Sequence, residues 1–170
     1  KSGFGAYIIN DRLGPQNNME MQASYAYHRD LGNGKLSAGL RAGLFSQTIN
    51  FAKYRAINPD DPLINSKGKE SQVRPDLAIG VNYRTEKYYL GASVTHLIKS
   101  QFDFGLNQRS SLKSHLYLTG GYFYQVNFDL KIQFMTLIKS DFAKTSVDVG
   151  GIAYLKDTMW GGISFRESEA

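Results

Sequence analysis

The feature that most constrains this chain is a strict alternation of apolar residues with polar or small ones along several long segments. Residues 19–28 read MEMQASYAYH, so the odd positions carry Met, Met, Ala, Tyr and Tyr, and the even positions Glu, Gln, Ser, Ala and His. Successive side chains of a β-strand point to opposite faces, so this segment predicts a strand with two unlike faces. The alternation recurs along 36–44, where leucine and alanine alternate with serine, glycine and arginine.

Turn signals divide the chain into nine predicted strands. Pairs such as Gly-Pro and Asn-Gly, and short polar stretches such as 85–87, separate the alternating segments. The predicted strands cover residues 3–10, 19–30, 35–50, 75–84, 88–97, 114–125, 130–139, 145–155 and 159–166.

The connections between these strands are predicted to alternate in length. In order they are long (11–18), short (31–34), longest (51–74), short (85–87), long (98–113), short (126–129), medium (140–144) and short (156–158). Outer-membrane barrels have short periplasmic turns and longer extracellular loops. Several predicted strands also exceed the five or six residues that are usual in globular proteins. Both features favour a transmembrane barrel over a soluble one.

The composition agrees with that fold. The 170 residues contain no stretch of about 18 apolar residues, so a membrane-spanning helix is not expected, whereas a spanning strand needs only about 9–11 residues. We expect an all-β, antiparallel up-and-down transmembrane β-barrel that forms a single outer-membrane domain over residues 1–170. Nine is an odd strand number, and open edges are costly in lipid, so the chain is expected to be incomplete at one or both ends and part of a larger barrel.

One face of the predicted sheet is assigned to the lipid. Tyrosines at 25, 27, 83, 88, 89, 122 and 124 gather towards strand ends, as in the aromatic girdles of membrane barrels. The alternative is a sheet packed on a soluble core. The predicted outward residues are Met19, Met21, Tyr25, Tyr27, Leu36, Leu40, Leu44, Leu77, Ile79, Val81, Leu90, Val94, Leu118, Tyr122, Tyr124, Leu130, Ile132, Phe134, Ile138, Val147 and Val149.

The other face carries ionisable residues of both signs. An Arg or Lys facing lipid near the midplane would cost about 2–4 kcal/mol, whereas inside a barrel it is paired or hydrated. Such residues either line a pore or form a structural network that fills the lumen, and their mixed signs favour the network. The lumen-facing candidates are Glu20, His28, Arg41, Asp76, Arg84, Lys131, Lys139, Asp148 and Arg166.

No catalytic or cofactor site is predicted. Cysteine is absent, and the three histidines are far apart along the chain without a carboxylate at metal-ligand spacing. The adjacent Asp60 and Asp61 are interpreted as part of a solvated loop rather than as a calcium site. The net charge of +5 is scattered, so nucleic acid is not an expected partner. We therefore expect no enzyme, no metal and no cofactor.

Seven motifs in order resemble the PorP/SprF family of type IX secretion system outer-membrane proteins. Each motif is weak alone, but together they extend over nearly the whole chain. They are GFGAYIINDRLGP at 3–15, SYAYH at 24–28, LSAGLRAG at 36–43, YLGASVTHL at 89–97, TGGY at 119–122, SVDV at 146–149 and WGGISFR at 160–166.

The resemblance implies a Bacteroidota outer-membrane barrel that serves protein secretion and gliding. Its implied partners are outer-membrane lipid, type IX secretion components or the C-terminal domain of a secreted adhesin, and a periplasmic linker protein. It implies a docking or anchoring role and brings no catalytic residue. Two alternatives stay open: an outer-membrane channel for hydrophobic or small polar solutes, and a soluble ligand-binding β-barrel.

Overall fold

The computed structural model describes residues 1–53, 68–104, 110–156 and 158–168. The strands are β1 (Ser2–Leu13), β2 (Gln16–Leu31), β3 (Gly34–Asn50), β4 (Lys69–Arg84), β5 (Tyr88–Thr95), β6 (Gln101–Phe102), β7 (Ser110–Ser111), β8 (His115–Gln125), β9 (Leu130–Ser140), β10 (Thr145–Leu155) and β11 (Met159–Ser168). Nine strands form one antiparallel sheet in chain order, β1 to β5 followed by β8 to β11, and the short β6 and β7 form a separate two-stranded sheet. One 3-10 turn covers Phe51–Lys53.

The predicted all-β, up-and-down antiparallel fold is confirmed. All nine predicted strands are present, and β10 has the predicted bounds. Alternation succeeds as a predictor here because a membrane strand must keep one face apolar along its length, and this imposes a period of two residues.

The strand register keeps each face continuous across the sheet. Directly paired residues of neighbouring strands share a face, and one such row runs Tyr27, Ala38, Val81, Ala92 and Leu118 from β2 to β8. All residues predicted to point outward lie on this face, which we call the apolar face. The opposite face is called the polar face.

Tyr89 is an exception to the predicted aromatic girdle. It pairs with Arg84 and Gly121 and therefore lies on the polar face. Its neighbour Tyr88 pairs with Tyr122 on the apolar face. The prediction for Tyr89 was wrong because adjacent residues of a strand cannot share a face.

The first predicted loop is also wrong. Residues 11–13 and 16–18 continue β1 and β2, and only Gly14 and Pro15 form the turn. Gly14 has a φ of +59°, which glycine adopts without a steric penalty. The polar residues of this segment resemble loop residues, but they pair directly, as in Asp11 with Asn18, and lengthen the hairpin. β4 likewise begins at Lys69 rather than at the predicted residue 75.

The sheet has two different ends. Connections after β2, β4, β8 and β10 are all short, and this end is called the turn end. At the opposite end, called the loop end, residues 51–68 and 96–114 form long connections, while 14–15 and 141–144 are short. The predicted length asymmetry therefore holds at two of the four loop-end connections.

Large side chains of the apolar face are exposed rather than packed in a core. Leu40 is 50% exposed, Ile79 49% and Phe134 54%. A continuous exposed apolar surface of this kind marks a site of contact with a membrane or with another protein. Among the described residues, no helix has the length and apolarity needed to cross a membrane.

The apolar band ends before the strands do. On β3 it runs from Leu36 to Leu44, whereas Ser46, Thr48 and Asn50 follow on the same face. A spanning strand needs about 9–11 residues, and β3 has 17. The loop-end part of β3 therefore extends past the apolar band.

The nine strands do not close on themselves. β1 and β11 are the two outer strands of the sheet and do not pair with each other over the residues described. Closure is required in lipid because it leaves no unpaired strand edge. The open sheet is therefore consistent with part of the wall of a barrel.

Candidate functional site

The polar face carries all nine ionisable residues that were predicted to point inward. Their positions follow from the continuous register, in which Glu20, Arg41 and Asp76 share a face with Asp148 and Arg166. That this face encloses a lumen stays a prediction. The remaining members of the set are His28, Arg84, Lys131 and Lys139.

Asp76, on β4, is a buried carboxylate with two side-chain partners. It is 1% exposed. The Nε2 atom of Gln22 donates to Oδ2 of Asp76 at 3.0 Å, and Nδ1 of His96 lies 3.0 Å from Oδ1. Hydrogen bonds to a charged group offset the cost of removing it from water. We call Gln22, Asp76 and His96 the carboxylate anchor.

Gly43 makes the carboxylate anchor possible. It lies between Gln22 and Asp76 in one cross-strand row. A Cβ at Gly43 would collide with the side chain of Gln22 and with the carbonyl oxygen of Met21. The absence of a side chain on β3 therefore lets Gln22 reach across this strand to β4.

His96 follows β5 directly and has a φ of +53°. Its ring lies edge-on to Phe45 at 6.4 Å and to His115 at 6.1 Å, measured between ring centroids. In the part of the chain that the structure describes, no group of three or more potential ligand residues can hold a metal ion. The ring contacts are thus consistent with a structural role for this histidine.

A second cluster joins β1, β2 and β3. The Nη1 atom of Arg41 donates to the hydroxyl of Tyr7 at 2.9 Å, and this hydroxyl donates to Oε2 of Glu20 at 3.4 Å. The guanidinium carbon of Arg41 also lies 5.8 Å from the centroid of the Tyr7 ring. Tyr7 therefore relays a polar contact between two charged residues of opposite sign.

A third cluster joins β9, β10 and β11. Arg166 binds both carboxylate oxygens of Asp148, through Nε to Oδ1 and through Nη2 to Oδ2 at 3.2 Å. The Nζ atom of Lys139 lies 3.1 Å from Oδ2 of the same carboxylate. Two cations and one anion leave this cluster with one unbalanced positive charge.

Three further residues of the predicted set contact neutral partners. The guanidinium of Arg84 lies 5.8 Å from the Phe123 ring, and Nζ of Lys131 lies 5.1 Å from the Tyr154 ring. Cations are attracted to the faces of aromatic rings. Nδ1 of His28 lies 2.7 Å from Oγ of Ser37. The sequence-predicted residues therefore form several separate contacts instead of converging on one centre.

The connection between β5 and β8 folds over the polar face. We call its described residues, 96–104 and 110–114, the inner connection. Phe102 is 1% exposed, and its ring centroid lies 5.8 Å from that of Phe45. We call the apolar cluster that it enters the aromatic clamp, which consists of Phe45, Ile49, Phe51, Phe102 and Phe104.

Backbone and side-chain hydrogen bonds attach the inner connection to β4. The backbone N–H of Leu97 donates to the carbonyl of Leu77 at 2.9 Å, and the Ser100 hydroxyl donates to the carbonyl of Pro75 at 3.0 Å. Further along, two side chains of the polar face reach the backbone of the inner connection. Arg74 Nε donates to the carbonyl of Gln101 at 2.8 Å. The side-chain amide of Gln72 donates to the backbone carbonyl of Asp103 and accepts a hydrogen bond from its backbone N–H.

The polar face also contains a depression of about 440 Å³ beside the Asp148 cluster. Its lining includes Tyr89, Thr119 and Met135, together with the charged side chains of Asp148 and Arg166. Its mixed apolar and charged lining is compatible with an amphipathic solute.

The short loop-end turn between β9 and β10 is ordered by Asp141. Its Oδ1 accepts hydrogen bonds from the backbone N–H of Lys144 at 2.7 Å and of Ala143 at 3.0 Å, and Lys113 lies 3.2 Å from Oδ2. These donors, with the Lys144 N–H first, lower the pKa of Asp141 from 3.8 to about 2. The turn is thereby tied to Lys113 of the inner connection.

Sequence reasoning did not identify the partners of the charged residues. Tyr7 was treated only as part of a motif, Gln22 as one polar strand residue, and His96 as an isolated histidine. The aromatic clamp was not predicted at all. The sequence did contain one signal for this cluster, since the apolar Phe45 and Ile49 interrupt the polar face of β3. Apolar residues on a polar face indicate that another segment packs on it.

Comparison with known proteins identifies one family. A family model described as type IX secretion system membrane protein PorP/SprF matches residues 1–170, which is the whole chain. No curated protein matches the chain.

Proposed function

Because the chain belongs to the PorP/SprF family of type IX secretion system membrane proteins, we propose that it is a non-enzymatic docking or anchoring barrel of that machinery in the outer membrane. Family membership makes it a membrane component of the secretion system. The docking role and the outer-membrane location are the parts proposed here.

The observation that carries the docking role is the internal pairing of charges on the polar face and the segment packed on part of it. Asp76 accepts hydrogen bonds from neighbouring side chains, and Asp148 is paired with Lys139 and Arg166. The inner connection covers the polar face of β3 and β4 with a buried aromatic cluster. Charges that pair with one another do not select solutes, and a segment packed on the sheet restricts passage along it. Both features favour a rigid docking protein over an open channel.

Outer-membrane lipid is the proposed environment of the apolar face. Leu40, Ile79 and Phe134 are about half exposed with nothing in the described chain to cover them. Tyr27, Tyr83 and Tyr122 lie near the turn end of the same face, where rings with a polar hydroxyl suit a membrane–water interface. The polar face, which carries the nine ionisable residues of the predicted set, then borders the lumen.

The two ends of the sheet suit two kinds of partner. The turn end, with its uniformly short connections, is proposed to face the periplasm and a linker protein. Phe128 is fully exposed there, at 105%. The loop end is proposed to face outward and to hold the C-terminal domain of a secreted adhesin. The predicted loop 51–74 belongs to this end, and its residues 54–67, with Asp60 and Asp61, lie outside the described residues.

The test is purification of the intact protein from its native membrane in mild detergent. We expect type IX components or a surface adhesin to co-purify. Phe128→Ser should reduce recovery of the periplasmic partner and leave the adhesin unchanged. Phe142→Ser, at an exposed loop-end position, is the matched variant. It should reduce recovery of the adhesin and leave the periplasmic partner unchanged. Recovery of neither partner with the unmodified protein would contradict the proposal.

A channel for hydrophobic or small polar solutes is the second candidate. It is favoured by the depression of about 440 Å³ beside Asp148 and Arg166 and by Phe123, which lies on the polar face below Arg84. Reconstituted vesicles should then take up solute, and a bulky substitution such as Gly150→Trp in the depression should abolish the uptake. Uptake equal to that of empty vesicles would exclude this function.

A further inference from the structure

We infer that the inner connection is a built-in closure of the barrel at the loop end, held by two attachments that meet at the ring contact between His96 and Phe45. One is the carboxylate anchor at its base, and the other is the aromatic clamp near its tip. The inference goes beyond docking but rests on the proposed orientation in which the polar face borders the lumen.

The aromatic clamp fixes the tip. Phe102 and Phe104 stack with an interplanar angle of 6°, and Phe102 also meets Phe45 of β3. The guanidinium carbon of Arg74 lies 5.8 Å from the centroid of the Phe102 ring. Phe102 and Phe104 belong to the very few buried apolar side chains of the described chain. An exposed loop has no need for such burial, so the tip is packed as part of the wall.

The carboxylate anchor fixes the base. His96 is the first residue of the inner connection, and its ring binds Asp76 on the polar face. The backbone carbonyl of His96 accepts a hydrogen bond from the hydroxyl of Ser114 at 2.8 Å. This hydrogen bond joins the beginning of the inner connection to its end. The positive φ of His96 turns the chain out of β5 at this point. The chain is thus redirected onto the polar face where β5 ends.

The position of the two attachments determines what they control. The aromatic clamp packs against the part of β3 beyond Leu44, where the opposite face is already polar. This is the loop-end mouth of the barrel. The other described loop-end connections, 14–15 and 141–144, are too short to reach across it. A solute or peptide moving along this wall must therefore displace the inner connection.

The closure can be tested in the full-length protein by single-channel conductance in planar bilayers. We expect low conductance for the unmodified barrel and a several-fold increase for His96→Ala combined with Phe102→Ser. His28→Ala combined with Phe4→Ser, at an exposed position of β1, replaces the same residue types away from the inner connection and should stay closed. Heat-dependent gel mobility establishes that each variant is folded.

A crosslink provides the second measurement. The chain has no cysteine, so Gln72→Cys with Asp103→Cys introduces the only thiols, at two residues in contact. A short bifunctional thiol reagent should join them and restore low conductance to the double variant. Folded double variants with unchanged conductance, or an unmodified barrel that already conducts as strongly, would overturn the closure. Either result leaves co-purification of secretion components unaffected, so failure of the closure is distinguishable from failure of the docking role.

Discussion

Nδ1 of His96 lies 3.0 Å from Oδ1 of Asp76, although 20 positions separate the two residues along the chain. Asp76 belongs to a strand and His96 to the connection that follows the next strand. The pair joins the barrel wall to the segment packed on it. Its contribution to stability and that of the surrounding contacts are directly measurable.

Replacing Asp76 by Ala is expected to lower the free energy of unfolding by about 1–3 kcal/mol, because the amide of Gln22 and the ring of His96 each lose an acceptor in a buried site. Urea unfolding in lipid vesicles measures the change. His96→Ala and the double variant complete a thermodynamic cycle, for which contacting residues give a coupling of about 0.5–3 kcal/mol. Purely additive effects would show that the contact contributes nothing.

Phe102→Ala is expected to destabilise the inner connection, since removing a buried phenylalanine costs about 3–5 kcal/mol. The loss should be local, so trypsin should cleave faster after Lys99 and Lys113 while the strands remain protected. Phe128→Ala is the matched control because an exposed side chain away from packing usually changes stability by less than about 0.5 kcal/mol. Equal cleavage rates for the two variants would contradict the packing of Phe102.

Gly43→Ala is expected to cost about 1–3 kcal/mol of unfolding free energy, because its Cβ would collide with Gln22 and with the backbone of Met21. Gly161→Ala, on β11, serves as the comparison, since a Cβ there meets nothing within 4 Å. The same unfolding experiment compares the two variants. Similar stability of both would show that Gln22 moves aside without loss.

Leu40→Arg is expected to cost about 2–4 kcal/mol if the apolar face meets lipid near the midplane. Leu31→Arg, at the last residue of β2 beside the turn, should cost only about 0–1 kcal/mol, as for interfacial positions. Unfolding from vesicles gives both values. A tolerated Arg at position 40 would indicate that water, not lipid, covers this face.

The loop-end turn is expected to weaken in acid. The pKa of Asp141 is lowered from 3.8 to about 2 in the folded protein, so its contribution is fully present above the unfolded value and is lost as the pH falls towards 2. The stability difference between the unmodified protein and Asp141→Ala should therefore be constant above about pH 5 and shrink below it. An NMR titration of Asp141 should give the lowered midpoint, and Lys113→Ala should raise it.

Strand positions were largely predictable because a period of two residues is a local property of the chain. Errors arose where local chemistry was ambiguous. Asp11 and Asn18 are common turn residues, yet they pair across β1 and β2, and only the register shows this. Tyr89 was assigned by residue type, but its face follows from the position of Arg84 opposite it.

The contacts of the polar face were far less predictable. Which residue meets Asp76 depends on the register of β2, β3 and β4 together, and on the path of the inner connection after Thr95. Neither the strand register nor the path of the inner connection produces a periodic pattern in the sequence. The antiparallel sheet with one apolar and one polar face follows from alternation along the chain, because alternation acts residue by residue. The return of His96 and Phe102 onto the polar face follows only from the folded structure, because such contacts depend on strand register and on the burial of residues distant in sequence.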